Sequence, residues 1–225
     1  MNTTCWCLSR RLLTWRFDPD ESLRKTTCDN RLEPLMDNFE GIIATLLEVD
    51  HYWVRRSFKI DVTQEEKRKV GKHSIPRPEI DLLAFNFSKN EVIAFEVKSF
   101  LNSPGVRLED LQREHEVQEG RYKLFTSRGY REVVLTRLKK DLISHGMADE
   151  NTKVILGLAA GKVYQKKSEP PLTQSNLMRV HLENNGFVFW SPEDIRNRVK
   201  SLAHRAYEND PVIIAAKILF PELTK

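Results

Sequence analysis

The chain has 225 residues, of which 40% are apolar and 30% are charged. This composition can form a hydrophobic core with a solvated surface, which excludes a disordered chain, a collagen-like fibre and a disulfide-stapled mini-protein. The formal net charge of +4 is compatible with a polyanionic partner but does not require one. Because no apolar run approaches the roughly 20 residues that a membrane-spanning helix needs, we expect a soluble protein without a membrane partner.

The N-terminal 35 residues differ from the rest of the chain. They contain all three cysteines (Cys5, Cys7 and Cys28), which are too few for a disulfide framework or a four-thiolate zinc site, so we expect a reducing, cytoplasmic environment. Arginines interrupt every apolar stretch that could serve as a secretory signal. Residues 1–35 show no sustained periodicity, and we expect an extension that is disordered or dispensable. Residues 36–225 are predicted to form a single domain.

The predicted elements of this domain alternate between strands and helices. Aromatic and β-branched residues predict strands at 52–62, 79–87, 91–100, 153–163 and 187–190. Apolar spacing and capping residues predict helices from residue 36 onwards, at 106–125, 130–144 and 173–183, from Ser191, and at 211–220. Residues 63–78 are predicted to be a charged loop. This order indicates an α/β domain, with antiparallel strands followed by strands that helices connect.

Three charged residues are predicted to lie together on the strand pair 79–87 and 91–100. Strand alternation places Glu96 and Lys98 on one face. A turn centred on Lys89-Asn90 would pair Asp81 with Lys98, which puts all three side chains on that face. A register shifted by one residue would move Asp81 to the opposite face.

Two carboxylates beside a lysine in an apolar setting point to metal chemistry. Like charges repel and burial raises carboxyl pKa values, unless a cation lies between the two groups. Mg²⁺ prefers carboxylate oxygens, and Mn²⁺ is a plausible substitute. The lysine can orient or deprotonate an attacking water, while the metal neutralises charge that develops on a phosphate. The alternative is an ordinary surface ion pair between Asp81 and Lys98.

The segment from Pro78 to Lys98 resembles the PD-(D/E)XK signature of the restriction endonuclease-like nuclease superfamily. Asp81 follows Pro78-Glu79-Ile80 rather than the proline directly, and Glu96-Val97-Lys98 matches the E-x-K element. The resemblance covers roughly residues 36–165. It implies a core of a helix, three antiparallel strands, a helix and a strand, followed by additional C-terminal helices and a short strand. It also implies a metal-dependent phosphodiesterase.

The resemblance implies a role for each matching residue. Asp81 and Glu96 would be metal ligands together with the carbonyl of Val97, and Lys98 would act on the water. The family places a glutamate on the helix before the sheet, and Glu40 occupies the matching position and would support the metal. Glu40 also borders the apolar face of its own predicted helix, where an ordinary solvated side chain is the alternative.

Gln118 and Tyr122 are candidate accessory residues. They are spaced i and i+4 on the predicted helix 106–125 and would share a face. This spacing resembles the Q-x-x-x-Y element of RecB-type and phage-type exonucleases in the same superfamily, which implies exonuclease activity. The alternative is an exposed helix surface, because the surrounding stretch is densely charged.

The expected function is an Mg²⁺-dependent deoxyribonuclease that hydrolyses DNA phosphodiester bonds, as an endonuclease in restriction, repair or defence. The candidate phosphate contacts are basic residues of the second predicted element and the loop after it: Arg55, Arg56, Lys69 and Lys72. The alternatives are an exonuclease of the RecB or phage type and a catalytically silent DNA-binding module on the same fold. Two-fold cutting of DNA would favour a homodimer, although the sequence carries no specific interface signal.

Overall fold

Residues 38–71 and 74–224 are described by the computed structural model. The predicted extension over residues 1–35 and the candidate phosphate contact Lys72 lie outside the described residues. No helix in the described ranges is long and apolar enough to cross a bilayer.

Five strands form one mixed sheet. They are β1 Trp53–Lys59, β2 Glu79–Asn86, β3 Glu91–Lys98, β4 Lys153–Ala160 and β5 Val188–Trp190. The strands lie in the order β1-β2-β3-β4-β5. β1, β2 and β3 pair antiparallel, whereas β4 runs parallel to both β3 and β5. The α/β class and the five strands predicted from the sequence are confirmed.

Helices cover both faces of the sheet. In chain order they are α1 Asn38–Val49, α2 Gln64–Lys69, α3 Leu108–Gln112, α4 Lys123–Thr126, α5 Arg128–Ser144, α6 Thr173–Asn184, α7 Pro192–Ser201 and α8 Pro211–Leu219. One core cluster joins the face that carries Leu83 and Ala94 to α3, α4, α5 and α6, and we call this the front face. A second cluster joins the face that carries Leu82 and Phe95 to α1, α7 and α8, and this is the back face. The result is three layers, in which burial of both sheet faces supplies the hydrophobic stabilisation.

Two of the predicted elements are wrong. The helix predicted at 106–125 is interrupted, because residues 113–122 are irregular between α3 and α4. Gly120 has a φ of +69° there, and the His115 amide donates to the Thr126 carbonyl at 2.8 Å, which folds the segment back onto α4. The loop predicted at 63–78 contains α2, which begins at a capping box between Thr63 and Glu66.

The predicted pairing of β2 with β3 is also wrong, by two residues. Leu82 pairs with Phe95 and Leu83 with Ala94. By extension Asp81 lies opposite Glu96, not opposite Lys98. Because the error is an even number of residues, Asp81, Glu96 and Lys98 keep the shared face that strand alternation predicts.

The connection between β2 and β3 explains this shift. The strands pair up to Asn86 and Glu91, which leaves a four-residue loop in place of the predicted tight turn. The Asn86 side-chain carbonyl accepts hydrogen bonds from the Ser88 hydroxyl at 2.7 Å and the Lys89 amide at 3.1 Å. Asn90 closes the loop with a φ of +48°. The loop is therefore centred one residue earlier than Lys89-Asn90.

The end of β3 is fixed by a close approach at Gly161. Its amide donates to the Lys98 carbonyl at 2.8 Å. A Cβ at this position would lie 2.5 Å from the Ser99 carbonyl oxygen and 3.0 Å from the Phe39 ring, so backbone would have to move. We expect Gly161→Ala to lower the free energy of unfolding by about 1–3 kcal/mol in urea titrations.

Gly129→Ala is the matched control for this prediction. Gly129 lies in α5, and no atom lies within 4 Å of the position that a Cβ would take there, so alanine should raise stability slightly through its helix propensity. If Gly161→Ala is as stable as the wild type, the end of β3 is not held by this contact.

Candidate functional site

The site forms where β2 and β3 separate. Their last backbone pair is Leu82 with Phe95. Beyond it, the Asp81 carboxylate accepts a hydrogen bond from the Val97 amide at 2.7 Å, so a side chain replaces the next strand-to-strand bond. On the other side, the residue opposite Asp81 in the β1 register is Ser57, which has a φ of +50°. Asp81 therefore lies where the backbone pairing with β3 has ended and where the pairing with β1 is interrupted by a single residue pair.

Lys98 joins the two carboxylates. Its Nζ lies 3.1 Å from Glu96 Oε1 and 3.6 Å from Asp81 Oδ2. The three side chains retain only 16–23% of their exposure, so they are well shielded yet still reach solvent. The structure thus brings together the three residues that strand alternation predicted on one face, although the register that does so differs from the predicted one.

Burial and charge act in opposite directions on the two central groups. Burial raises the pKa of the Glu96 carboxyl; the Lys98 ammonium opposes this change and the Asp81 carboxylate adds to it. Burial alone would lower the pKa of Lys98, but the neighbouring Glu96 and Asp81 carboxylates raise it above its ordinary value. Lys98 forms ion pairs with both carboxylates, and Lys123 also opposes the rise in the Glu96 pKa.

The three residues lie in a solvent-accessible cleft of about 480 Å³. Its other lining residues come from β2 and from the chain between β3 and α5: Glu79, Phe100, Gly120, Arg121, Lys123, Leu124 and Tyr130. Burial, followed by the Glu96 carboxylate, raises the pKa of Tyr130. Tyr130 therefore presents a neutral hydroxyl to the cleft at neutral pH, which can donate a hydrogen bond.

Arg121 and Lys123 form a cationic wall that the sequence analysis missed. The Lys123 ammonium acts on the Glu96 carboxyl, whose pKa it helps to lower, and the Arg121 guanidinium lies 5.9 Å from the Phe100 ring centroid. On the continuous helix predicted there, residues two apart would point to different sides. The irregular backbone after Gly120 brings both into one cleft, a geometry that helical periodicity does not reveal.

The oxygen donors of the site fit a hard divalent cation. Asp81 and Glu96 supply carboxylates, which Mg²⁺ prefers. A strand residue directs its N–H and its C=O to the same neighbouring strand. The Val97 carbonyl therefore lies on the β2 side, like the amide that binds Asp81. Among the described residues no three His, Cys, Asp or Glu side chains are grouped so as to hold a metal, so a cation here would rely on two carboxylates, a carbonyl and water.

Glu40 lies on a different element from this donor set. It lies in the first turn of α1, which packs on the back face of the sheet. It is not among the residues that line the cleft. Its role in supporting a metal therefore stays a prediction.

The proposed accessory residues are buried and do not line the cleft. Gln118 belongs to the irregular segment 113–122, and Tyr122 directly precedes α4, so they do not share a helix face as predicted. Burial, then the Asp110 and Glu96 carboxylates, raises the pKa of Tyr122 to about 12. Tyr122 therefore lies close enough to Glu96 to be affected by its charge, but it does not line the cleft that Glu96 lines.

The described candidate phosphate contacts also lie outside the cleft. Arg55 and Arg56 are on β1, and the Arg55 guanidinium lies 5.6 Å from the Phe58 ring centroid. Lys69 ends α2, where its Nζ lies 3.9 Å from Glu65. These residues could contact only DNA that extends beyond the cleft.

Comparisons of the chain with protein-family models, with curated proteins and with solved structures found no match. No relative therefore supplies a substrate or a mechanism for this chain. The resemblance to the PD-(D/E)XK signature rests on the identity and placement of Asp81, Glu96 and Lys98.

The raised pKa of Glu96 predicts a pH-dependent difference in stability. In metal-free protein the folded chain binds this proton more tightly than the unfolded chain, so the wild type loses stability as the pH rises from about 4.5 through the folded-state pKa. Glu96→Gln has no proton to lose. We expect its free energy of unfolding, relative to the wild type, to increase across that window in urea titrations with EDTA. If the difference in free energy of unfolding between Glu96→Gln and the wild type stays constant or falls with pH, burial does not disfavour the ionised form of Glu96.

Proposed function

We propose that the chain is an Mg²⁺-dependent deoxyribonuclease of the PD-(D/E)XK type, acting as an endonuclease in restriction, repair or defence. The observation that carries the proposal is the position of the Lys98 ammonium, 3.1 Å from Glu96 and 3.6 Å from Asp81 at the wall of an open cleft. The element order, with α1 before three antiparallel strands and a parallel β4 after intervening helices, supports a restriction endonuclease-like core.

A purely structural ion pair explains this arrangement less well. Exposed pairs contribute little to stability, and shielded ones are often no better than apolar residues of similar size. Here a second carboxylate is added to a pair that is already complete, and the pKa of Glu96 is raised as a result of burial and of Asp81. Retaining that unfavourable charge is reasonable if a cation neutralises it during function.

Each residue of the site has a distinct task in phosphodiester hydrolysis. Asp81, Glu96 and the Val97 carbonyl would hold the metal. When bound, Mg²⁺ supplies positive charge that stabilises the phosphate as negative charge develops and activates a coordinated water. Lys98, whose Nζ lies 3.1 Å from Glu96 and 3.6 Å from Asp81, would orient the attacking water. Tyr130 would donate a hydrogen bond from the α5 side of the cleft.

The cationic wall supports a phosphate-bearing substrate. Arg121 and Lys123 line the same cleft as the carboxylates, and the Lys123 ammonium opposes the rise in the pKa of Glu96. A DNA phosphate between the two sides would be held by charge-assisted hydrogen bonds from the wall and would lie beside Lys98. This wall would also serve the alternative function, a catalytically silent DNA-binding module, because phosphate binding alone requires no metal.

Cleavage at matched DNA occupancy distinguishes these functions. We expect wild-type protein to cut DNA with Mg²⁺ and not with EDTA. Asp81→Asn and Glu96→Gln should abolish cutting because each removes a ligand charge. Lys98→Met should lower the turnover at least about a hundredfold while leaving DNA affinity largely unchanged, since its role is in the transition state. Linear, circular and branched DNA would be compared on gels.

The control is an exposed acid–base pair outside the cleft, Glu109 with Lys166, whose charged atoms are 3.2 Å apart. Glu109→Gln and Lys166→Met should cut like the wild type. Cutting of circular DNA indicates an endonuclease, whereas cutting of linear DNA alone indicates an exonuclease. Equal residual cutting by wild type, Asp81→Asn and Lys98→Met contradicts the assignment, and firm DNA binding without any cutting supports the silent module.

A further inference from the structure

Two large aromatic rings are exposed together at the hairpin end of the sheet. Trp53 on β1 retains 73% of its exposure, and Phe87 in the loop between β2 and β3 retains 66%. Their ring centroids are 6.5 Å apart in an edge-to-face arrangement, and Phe87 stacks on the buried Phe85 at 6.1 Å. We call Trp53 and Phe87 the aromatic platform. Rings of this size are normally buried, so an exposed, ordered pair indicates a binding surface.

The aromatic platform lies on the same sheet face as the cleft. Trp53 pairs with Phe85 in the β1–β2 register, and Asp81 is four residues from Phe85 along β2. At about 3.3 Å per strand residue, Phe85 and Asp81 are about 13 Å apart along β2, and the platform is about that far from the cleft. Arg55 pairs with Leu83 halfway between them, and it is exposed. β1 therefore forms a rim that leads from the platform, past a cation, towards the cleft.

The charge of this rim indicates which partner it fits. On the face of the platform β1 contributes Arg55, and the loop that carries Phe87 contributes Lys89 and no carboxylate. Lys59, at the far end of β1, already lies 4.0 Å from Glu79. Like charges would oppose the pairing of this edge strand with a second copy of the chain. A polyanion that also presents flat aromatic surfaces satisfies both the cations and the rings.

We propose that the aromatic platform binds the unpaired bases of single-stranded DNA, and that Arg55 contacts the phosphate backbone between the platform and the cleft. In a duplex the base faces are already stacked on each other, whereas an unpaired base can stack on a tryptophan or phenylalanine ring. The proposal takes DNA as the substrate from the proposed function, and it adds that the substrate is single-stranded or carries an unpaired segment next to the cut.

Binding in EDTA tests this proposal separately from cleavage. Fluorescence anisotropy would measure the affinity of the full chain for a labelled single-stranded oligonucleotide and for its blunt duplex. Trp53→Ala and Phe87→Ala should each weaken single-strand binding about tenfold and change duplex binding little. Trp53→Phe should restore most of the affinity. The matched control is Tyr207→Ala, which removes an aromatic ring that is 75% exposed elsewhere on the surface and should have no effect.

Salt titration tests the phosphate contact. Arg55→Gln should reduce the slope of log affinity against log salt by about 0.7, the value for one phosphate contact to a single strand, whereas Trp53→Ala should leave that slope unchanged. Thermal unfolding of each variant confirms that the fold is intact.

The results that would overturn the proposal are specific. They are unchanged single-strand affinity in Trp53→Ala, an equal loss for single strand and duplex, or a dimer in sedimentation that Trp53→Ala converts to a monomer. If Trp53→Ala loses single-strand affinity and the wild type never cuts DNA, the platform is supported and only the nuclease proposal is overturned. Cutting of duplex DNA that is unaffected by Trp53→Ala, without single-strand binding, overturns only the platform.

Discussion

The hydrogen bond from the Val97 amide to the Asp81 carboxylate is the contact on which the site depends. At 2.7 Å it replaces a backbone pair between β2 and β3 with a side chain, at the point where the strands separate. It fixes Asp81 beside Glu96 and directs the Val97 carbonyl to the same side. A sheet that stayed paired at this position would have no room for a ligand between the strands.

The electrostatic consequence is a site whose charges are incompletely balanced without a ligand. Asp81 and Glu96 share one ammonium, and burial prevents water from screening them fully. Arg121 and Lys123 add positive charge to the same cleft, and Lys123 offsets part of the effect of burial on Glu96. A cation bound by the carboxylates and a phosphate bound by Arg121 and Lys123 would balance these charges. The ligand-free protein would then be less stable than the ligand-bound protein.

The sequence predicted the features that depend on local periodicity. Strand alternation placed Asp81, Glu96 and Lys98 on one face. This prediction is correct despite the error in register, because a shift of two residues leaves these side chains on the same face. The register itself depends on side-chain bonds of Asn86 in the loop, which no hydrophobic pattern encodes. Arg121 and Lys123 were missed because the charged stretch around them was assigned to a helix, whereas Gly120 and long-range contacts set its irregular path.

The most direct test of the account is a calorimetric titration of the full chain with Mg²⁺, without DNA, comparing the wild type with Asp81→Asn and with the exposed control Glu109→Gln. If the separated strands hold a cation, the wild type and the control should bind Mg²⁺ with equal affinity, and Asp81→Asn should lose that binding because half of the ligand charge is gone. Mg²⁺ binding that persists unchanged in Asp81→Asn would contradict the central claim that this carboxylate pair is a metal site.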